Sequence, residues 1–153
     1  MLLGPSVRVQ SAIMVAEELG PGTVVEEAVT VDDEVVRRYG EATGDFNPVH
    51  FDDTYAAQTP FGRRIAHGGI LFGQFSRILG TRLPGPGTIF LSQRIEFLAP
   101  VYVGDAIRCQ VQVVELLAKN GAKLTTVAFR GGTIVANGEA VVKLPRKPVE
   151  QSR

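Results

Sequence analysis

The chain has 153 residues, of which 44% are hydrophobic and 21% charged, and its 16 Lys and Arg residues balance 16 Asp and Glu residues. One domain of this length buries roughly two-thirds of its unfolded surface. The balanced charge argues against a long-range field for nucleic acid or an anionic membrane, and no apolar run reaches the ~20 residues of a membrane span. A small basic patch for a phosphorylated small molecule stays open.

The N-terminal segment carries one cation, Arg8, and no acid before Glu17. This pattern is typical of neither a secretory signal nor an Arg-rich transit peptide. We expect residues 1–22 to be a lead-in that need not be ordered, 23–146 to form one domain, and 147–153 to form a tail. The expected compartment is the cytoplasm, with the mitochondrial matrix as the alternative if the lead-in is a transit peptide.

The first elements along the chain are a strand and a helix. TVVEEAVT (23–30) is rich in β-branched residues and predicts the strand. The apolar residues that follow recur at helical spacing: Val31, Val35, Tyr39 and Ala42. Thr30 with Asp33 resembles a capping box at the helix start, and Gly44 suits a left-handed helix end.

Two further helices are predicted. DDTYAAQT (52–59) has room for one or two turns before Pro60. HGGILFGQFSRILGTRL (67–83) is apolar on most of a helical wheel, which is typical of a buried helix. Some fourteen residues make that helix about 20 Å long, so other elements must wrap around it.

The rest of the chain predicts four long strands, over 87–100, 105–119, 122–131 and 132–144. Asn120-Gly121 indicates a hairpin and Gly131-Gly132 another turn. We interpret Asn137-Gly138 as a glycine bulge within one long strand. The single cysteine, Cys109, excludes an internal disulfide; because side chains alternate in IRCQVQV, we interpret it as a small buried hydrophobe.

These elements predict an α+β fold in which a long antiparallel sheet wraps around a buried central α-helix. A sheet of this kind leaves an edge strand with unpaired backbone groups. Pairing of two copies across that edge would satisfy them, so we expect a homodimer.

The loop GDFNPVH brings a possible acid and a possible base close together. Pro48 restricts its own backbone and that of Asn47, whose side chain can hold a turn. A rigid loop would then aim Asp45 and His50 as an acid/base pair. The alternative is that Asp45 only ends a helix and His50 only packs against a surface.

A second polar landmark is His67-Gly68-Gly69 at the start of the long helix. Backbone N–H groups at a helix N-terminus can bind a developing oxyanion, although the glycines also allow close packing under the sheet. Ser76 lies on roughly the same helical face as Gly68, and its hydroxyl can instead bond back to the helix. A metal site built from Asp45, His50 and His67 has no compact ligand spacing to support it.

From about Thr23 to Pro145 the sequence resembles the (R)-specific enoyl-CoA hydratases and MaoC-like 3-hydroxyacyl-thioester dehydratases, which have a single hotdog fold. Three segments carry the resemblance: YGEATGDFNPVHFDDTYAAQTPFGRRIAHGGIL, LPGPGTIFLSQRIEFLAPVYVGD and GEAVVKLP. The first is the most specific, because it combines the Gly-Asp-x-Asn-Pro-x-His loop with a His-Gly helix start at the family's spacing.

The resemblance implies a role for each matching residue. Asp45 and His50 would be the catalytic pair, and the N–H of Gly68 the oxyanion hole. The supporting or substrate-binding positions would be Asn47, His67, Gly69, Ser76 and Leu79, with Leu79 lining an acyl tunnel. Gly69 replaces a larger apolar residue, which predicts a wider tunnel mouth.

The implied reaction is the reversible hydration of a trans-2-enoyl thioester to the (R)-3-hydroxyacyl thioester, a step of fatty-acid metabolism. The substrate would be carried on coenzyme A or acyl carrier protein, and the reaction needs neither metal nor redox cofactor. Two alternatives stay open: a thioesterase on the same fold, and a non-catalytic acyl-CoA-binding module. His50 argues against the thioesterase, because a lone carboxylate would suffice for it.

Overall fold

The computed structural model describes residues 19–146, so most of the expected lead-in (1–18) and the tail (147–153) lie outside the described residues. Residues 19–22 are already tied to the domain. Leu19 is buried in the core, and the Gly22 N–H donates to the Val113 carbonyl at 2.8 Å. No helix within 19–146 is long and apolar enough to cross a membrane.

Nine helices and strands make up this part of the chain. In order they are β1 (Val24–Val31), α1 (Asp33–Thr43), α2 (Pro48–Phe51), α3 (Asp53–Ala57), α4 (Gly68–Thr81), β2 (Ile89–Phe97), β3 (Asp105–Leu117), β4 (Gly121–Arg130) and β5 (Thr133–Lys143). The expected helix over 52–59 is therefore the shorter α3, preceded by the single turn α2.

The strands form one antiparallel sheet in the order β1-β3-β4-β5-β2. Alternate side chains of β3 are buried on the face that packs on α4: Ile107, Cys109, Val111 and Val113. Burial raises the pKa of the Cys109 thiol to about 11, which fits a small buried hydrophobe. The predicted α+β architecture of a sheet around one helix is confirmed.

Helix α4 packs into the sheet through one face, formed by Ile70, Leu71, Phe75, Ile78 and Leu79. The opposite side of a single chain stays open, because Phe72 is 41% exposed and Gly73 is exposed. The expectation of a helix buried nearly all round was therefore too strong for one chain. An apolar wheel does not distinguish burial by the same chain from burial by a second copy.

The predicted capping box at Thr30 is wrong. Strand β1 continues through Val31, and Thr30 pairs with Ala106 in the ladder. Asp32 is the N-cap instead, and its side chain accepts the Val35 N–H at 2.9 Å. The left-handed end of α1 at Gly44 is confirmed, with φ of 77°.

The β3–β4 hairpin turns one residue earlier than Asn120-Gly121 predicts. Leu117 pairs with Gly121, which begins β4, so the loop has three residues. Two of them, Lys119 and Asn120, have positive φ of 57° and 62°. The turn at Gly131 is as predicted, with φ of 57°.

The predicted bulge at Asn137-Gly138 is also wrong, although β5 is one long strand. Pairing is regular through both residues, and the register shifts lie elsewhere, between Ala128 and Phe129 and between Phe90 and Ser92. Glycine is needed at position 138 for another reason, because an added Cβ would lie 1.8 Å from the Arg94 carbonyl oxygen.

Candidate active site

The loop after α1 is held by its own side chains. Thr43 Oγ1 accepts the Asp45 N–H at 3.3 Å, Asp45 Oδ1 accepts the Asn47 N–H at 3.2 Å, and Asn47 Oδ1 accepts the Val49 N–H at 3.3 Å. Pro48 begins α2, where its missing N–H costs nothing. Asn47 thus shapes the loop, as expected, by capping the start of α2.

His50 is buried, and its imidazole is oriented by a backbone carbonyl. Its Nδ1 lies 2.7 Å from the Ile65 oxygen. Because a carbonyl oxygen only accepts, Nδ1 must carry the proton, and Nε2 of the neutral ring keeps a lone pair. Burial lowers the pKa of His50, as does His67 to a lesser extent, while the Ile65 bond and Asp45 oppose that change. The ring is therefore neutral near pH 7 and able to accept a proton.

His67 is 3% exposed and precedes α4. Its Nε2 donates to the Asp45 carbonyl at 2.9 Å, and its ring lies against that of His50, with 3.8 Å between centroids. Its Nδ1 is buried and has no hydrogen-bond partner among residues 19–146. The two histidines and Asp45 are thus brought together, as the sequence predicts.

The three side chains also satisfy the distance condition for a metal site, since one ligand atom from each lies within 4.8 Å of the others. The two imidazoles stack with a tilt of 32° between their planes, and His50 Nδ1 and His67 Nε2 are each bonded to a backbone carbonyl. The acid/base role predicted from the sequence remains a prediction. Asp45 is exposed at the edge of the group, where its carboxylate can meet water.

Gly68 is the first residue of α4, so its N–H has no acceptor within the helix. An added Cβ would lie 2.6 Å from Cζ of Phe97, which means that the Phe97 ring covers this glycine. Glycine is therefore required for close packing, and the same packing leaves a backbone donor beside a sheltered space. The close-packing interpretation is confirmed, and the oxyanion role of the Gly68 N–H remains a prediction.

That space is a cavity of about 410 Å³ next to the histidines. Its lining is mostly apolar and consists of His50, Phe61, Ile65, Ala66, His67, Gly68, Leu71, Phe97, Leu98, Ala99, Pro100 and Val101. A mostly apolar pocket with a few convergent polar groups suits a ligand with an apolar chain and one polar reacting centre.

Sequence reasoning missed most of this lining. Phe61 follows α3, and residues 97–101 include the last residue of β2 and the loop after it, about 40 residues later in the chain. A backbone bond from Ala66 N–H to the Val101 carbonyl at 2.7 Å joins the two segments. The sequence signal that could have found them is the presence of apolar residues in connecting segments, because such side chains are normally buried against other residues or a ligand.

Gly69 does not widen the cavity mouth, contrary to the expectation. An added Cβ would lie 1.8 Å from the Tyr39 hydroxyl oxygen. The space that the missing side chain leaves is therefore filled by Tyr39 from α1, a contact that spacing along the sequence does not reveal.

Ser76 and Leu79 lie outside the cavity lining. Leu79 is 1% exposed and belongs to the core, and it lies about 16 Å along α4 from Gly68. Ser76 is half-buried, and within the described residues its hydroxyl makes no hydrogen bond. In a single chain, Leu71 supplies the apolar helix surface expected of Leu79.

Comparisons with known proteins agree with this geometry. The family described as the MaoC-like domain matches residues 15–137. A 3-hydroxybutyryl-CoA dehydratase of Methylorubrum extorquens is 43% identical over 131 residues, covering 85% of this chain and 82% of the relative. A mitochondrial 3-hydroxyacyl-[acyl-carrier-protein] dehydratase of Arabidopsis thaliana is 35% identical over 129 residues, covering 81% and 76%. The solved (R)-hydratase of Aeromonas caviae aligns with a TM-score of 0.82 and 41% identity, covering 85% of this chain and all of that one.

One antiparallel sheet around one helix, with Asp45, His50 and His67 grouped beside the N-terminus of that helix, defines a hotdog-fold protein with a candidate active site. Within that class, the chain belongs to the MaoC-like dehydratase family.

Proposed function

We propose that the protein is a hydro-lyase that reversibly hydrates trans-2-enoyl thioesters to (R)-3-hydroxyacyl thioesters. The observation that carries the proposal is the orientation of His50. Its Nδ1–H is bound to Ile65, so the basic Nε2 is left for a cavity that it shares with the N-terminus of α4. A base beside a backbone oxyanion donor and an apolar pocket is what addition of water to an enoyl thioester requires.

The reaction proceeds on one water. The Gly68 N–H donates to the thioester carbonyl and polarises the conjugated double bond. His50 Nε2 takes one proton from the water as the water oxygen bonds to Cβ. That same proton then passes to Cα by way of Asp45, which also orients the water, so both side chains regain their starting protonation. Exchange of the two side-chain roles is equally consistent with the arrangement. Dehydration is the same path in reverse.

The thioester itself makes Cα acidic, so the proposed reaction uses no cofactor. Coenzyme A and acyl carrier protein are both candidate carriers, since the names of relatives include both. We assign the activity to one domain over residues 23–146.

We further propose a homodimer formed through β2. This strand lies at one edge of the sheet and exposes large apolar side chains, Ile89 at 58% and Leu91 at 53%. Phe72, on the open side of α4, stacks on Phe90 of the same strand. Light scattering is expected to give twice the chain mass for the wild type and less for Leu91→Glu; a monomeric wild type would contradict the dimer.

The proposed compartment is the cytoplasm. The mitochondrial matrix is the alternative, because one relative is a mitochondrial protein. Imaging of the full chain with a C-terminal fluorescent protein, against a matrix marker, distinguishes the two, because matrix signal would overturn the cytoplasmic assignment.

The experiment that tests the function is hydration of crotonyl-CoA, followed by loss of the enoyl absorbance and chiral analysis of the product. The wild type is expected to form (R)-3-hydroxybutyryl-CoA. Asp45→Asn and His50→Ala are each expected to lower kcat by about 10²–10⁴-fold, the usual contribution of a general acid or base. Asp52→Asn is the matched control, because its carboxylate only caps α3 by accepting the Tyr55 N–H.

Two outcomes would overturn the proposal. Release of free thiol without a hydroxyacyl product would establish the thioesterase. Binding of acyl-CoA without turnover at any chain length would leave a binding module.

A further inference from the structure

His67 is the most enclosed polar side chain of the site, yet the proposed mechanism does not use it. Its ring lies between those of Tyr39, His50 and Phe51, with centroid distances of 4.6, 3.8 and 5.6 Å. Its Nε2–H donates at 2.9 Å to the backbone carbonyl of Asp45, which lies 22 residues earlier in the chain. A buried ring that makes one directed hydrogen bond is well suited to position the residue that accepts the bond.

Asp45 depends on that bond for its connection to the rest of the protein. Its N–H donates to Thr43, the last residue of α1, and its Oδ1 accepts from Asn47 in the same loop. Among residues 19–146, the bond from His67 is the one hydrogen bond that joins Asp45 to a residue outside the segment 43–47. Without it, the exposed Asp45 would be fixed only relative to its own loop and the end of α1.

We propose that His67 is a positioning residue that fixes Asp45 relative to the N-terminus of α4. The inference rests on the proposed function, since it concerns the same acid/base pair. Asp45 and the Gly68 N–H must act on one substrate at the same time, and His67 directly precedes Gly68. The bond to the Asp45 carbonyl thus sets the distance between the carboxylate-bearing loop and the oxyanion donor.

Tyr39 and Gly69 support His67. The Tyr39 hydroxyl occupies the place of a Gly69 side chain, which allows the phenol ring to pack on His67. Glycine at position 69 therefore serves the enclosure of His67. Gly69→Ala would push Tyr39 away, and Tyr39→Leu in the same chain would remove most of the clash.

The bonding pattern requires opposite tautomers in the two histidines. His50 must carry its proton on Nδ1, and His67 must carry its proton on Nε2, because each of these nitrogens faces a carbonyl. The chain has two histidines in all, so long-range ¹H–¹⁵N spectra of the tag-free protein at pH 7.5 contain two ring patterns. Loss of one pattern in His50→Gln assigns both. A His67 ring protonated on Nδ1 would overturn the proposal, whether or not the enzyme is active.

Kinetics supply the second test. His67→Leu removes the donor at similar volume and is expected to lower kcat by about 10–100-fold with KM within about threefold, because misplaced reacting groups act on the transition state. His67→Gln, whose amide can donate to the same carbonyl, is expected to recover most of that loss. Thr126→Val is the matched control, since it removes another buried side-chain bond, from Gln93 Nε2 at 2.9 Å, away from the cavity.

The outcomes separate the two proposals. A wild type that hydrates crotonyl-CoA, with His67→Leu within threefold of it, overturns the positioning role and leaves the function intact. Equal losses in His67→Leu, His67→Gln and Thr126→Val indicate general destabilisation and also overturn it. A wild type that hydrates nothing overturns the proposed function. The tautomer spectra then show by themselves whether His67 donates its Nε2–H to the Asp45 carbonyl.

Discussion

The two ends of α4 are held in different ways. At the C-terminal end, the largely buried Glu27 carboxylate accepts from Arg77 and from Arg82, the latter at 2.9 Å. The Arg82 N–H closes the last turn on the Ile78 carbonyl at 2.8 Å. At the N-terminal end, His67 makes no side-chain cap bond, and its Nδ1 has no partner within the described chain.

The difference suggests that the two ends of α4 serve different purposes: one anchors the helix, and the other carries the proposed site. Buried polar groups that are all paired stabilise a structure, whereas unpaired groups cost free energy unless a ligand meets them. The C-terminal end fixes α4 to β1, whereas at the N-terminal end the Gly68 N–H and His67 Nδ1 are the groups that we propose a substrate or its water meets. Substitutions at the two ends should therefore act on different measurements.

Among substitutions on α4, the largest effect is expected for Gly68→Ala. The added methyl would lie 2.6 Å from Cζ of Phe97, which is 55% exposed, so the ring must shift beside the proposed oxyanion donor. We expect kcat/KM for crotonyl-CoA to fall by about 10²-fold, with a change in unfolding free energy below about 1 kcal/mol.

Gly73→Ala on the same helix is the control for Gly68→Ala. An added Cβ there meets nothing within 4 Å, so alanine should stabilise the helix by about 0.5–1 kcal/mol and leave activity unchanged. Equal losses of activity in both variants would mean that the helix, rather than its N-terminus, is sensitive.

A pH profile sharpens the comparison at the N-terminal end. Burial lowers the pKa of His50 below its ordinary value of 6.5, and the base must be neutral to act. We therefore expect the acid limb of the kcat/KM profile to be centred below pH 6.5. An acid limb centred above pH 6.5 would contradict the assignment of His50 as the base.

The same shift affects stability. A group with a lowered folded pKa contributes stability that is present above its unfolded pKa and is lost as the pH falls toward its folded pKa. Urea unfolding at pH 7.5 and 5.5 should thus show a smaller loss of stability in His50→Gln than in the wild type.

The smallest effect is expected at the C-terminal end. Glu27→Gln weakens the bonds to both arginines and should cost about 1 kcal/mol of unfolding free energy, since the arginines are partly exposed. Activity should stay within twofold. Glu115→Gln is the control, because its contact with Lys123 is 3.8 Å long and exposed; it should change neither stability nor activity. A large loss of activity in Glu27→Gln would contradict the separation of the two ends of α4.

The fold was predictable from the sequence because long β-branched segments and one apolar helix admit few arrangements. The details that failed depend on contacts across the sheet. Thr30 lost the capping position to Asp32 because pairing with Ala106 extends β1. Gly138 is required by the Arg94 carbonyl on the neighbouring strand, which a local pattern interprets as a bulge.

The site was predictable where its residues share a short segment. Asp45, Asn47 and His50 lie in one loop, and His67 and Gly68 start one helix, so motif spacing was enough to group them. Phe97 and Tyr39 were missed because they reach the site from other elements. Leu79 was assigned to the cavity by resemblance, and in a single chain it packs in the core.

The loop held by its own side chains has a consequence for hydrogen exchange. The amides of Asp45, Asn47 and Val49 are bonded to side-chain oxygens of neighbours two residues away, and none of these bonds belongs to the sheet. Their exchange is therefore expected to proceed through local opening of a few residues, while amides of β3 and β4 wait for global unfolding. The loop that carries Asp45 can therefore open and close again while the sheet stays folded.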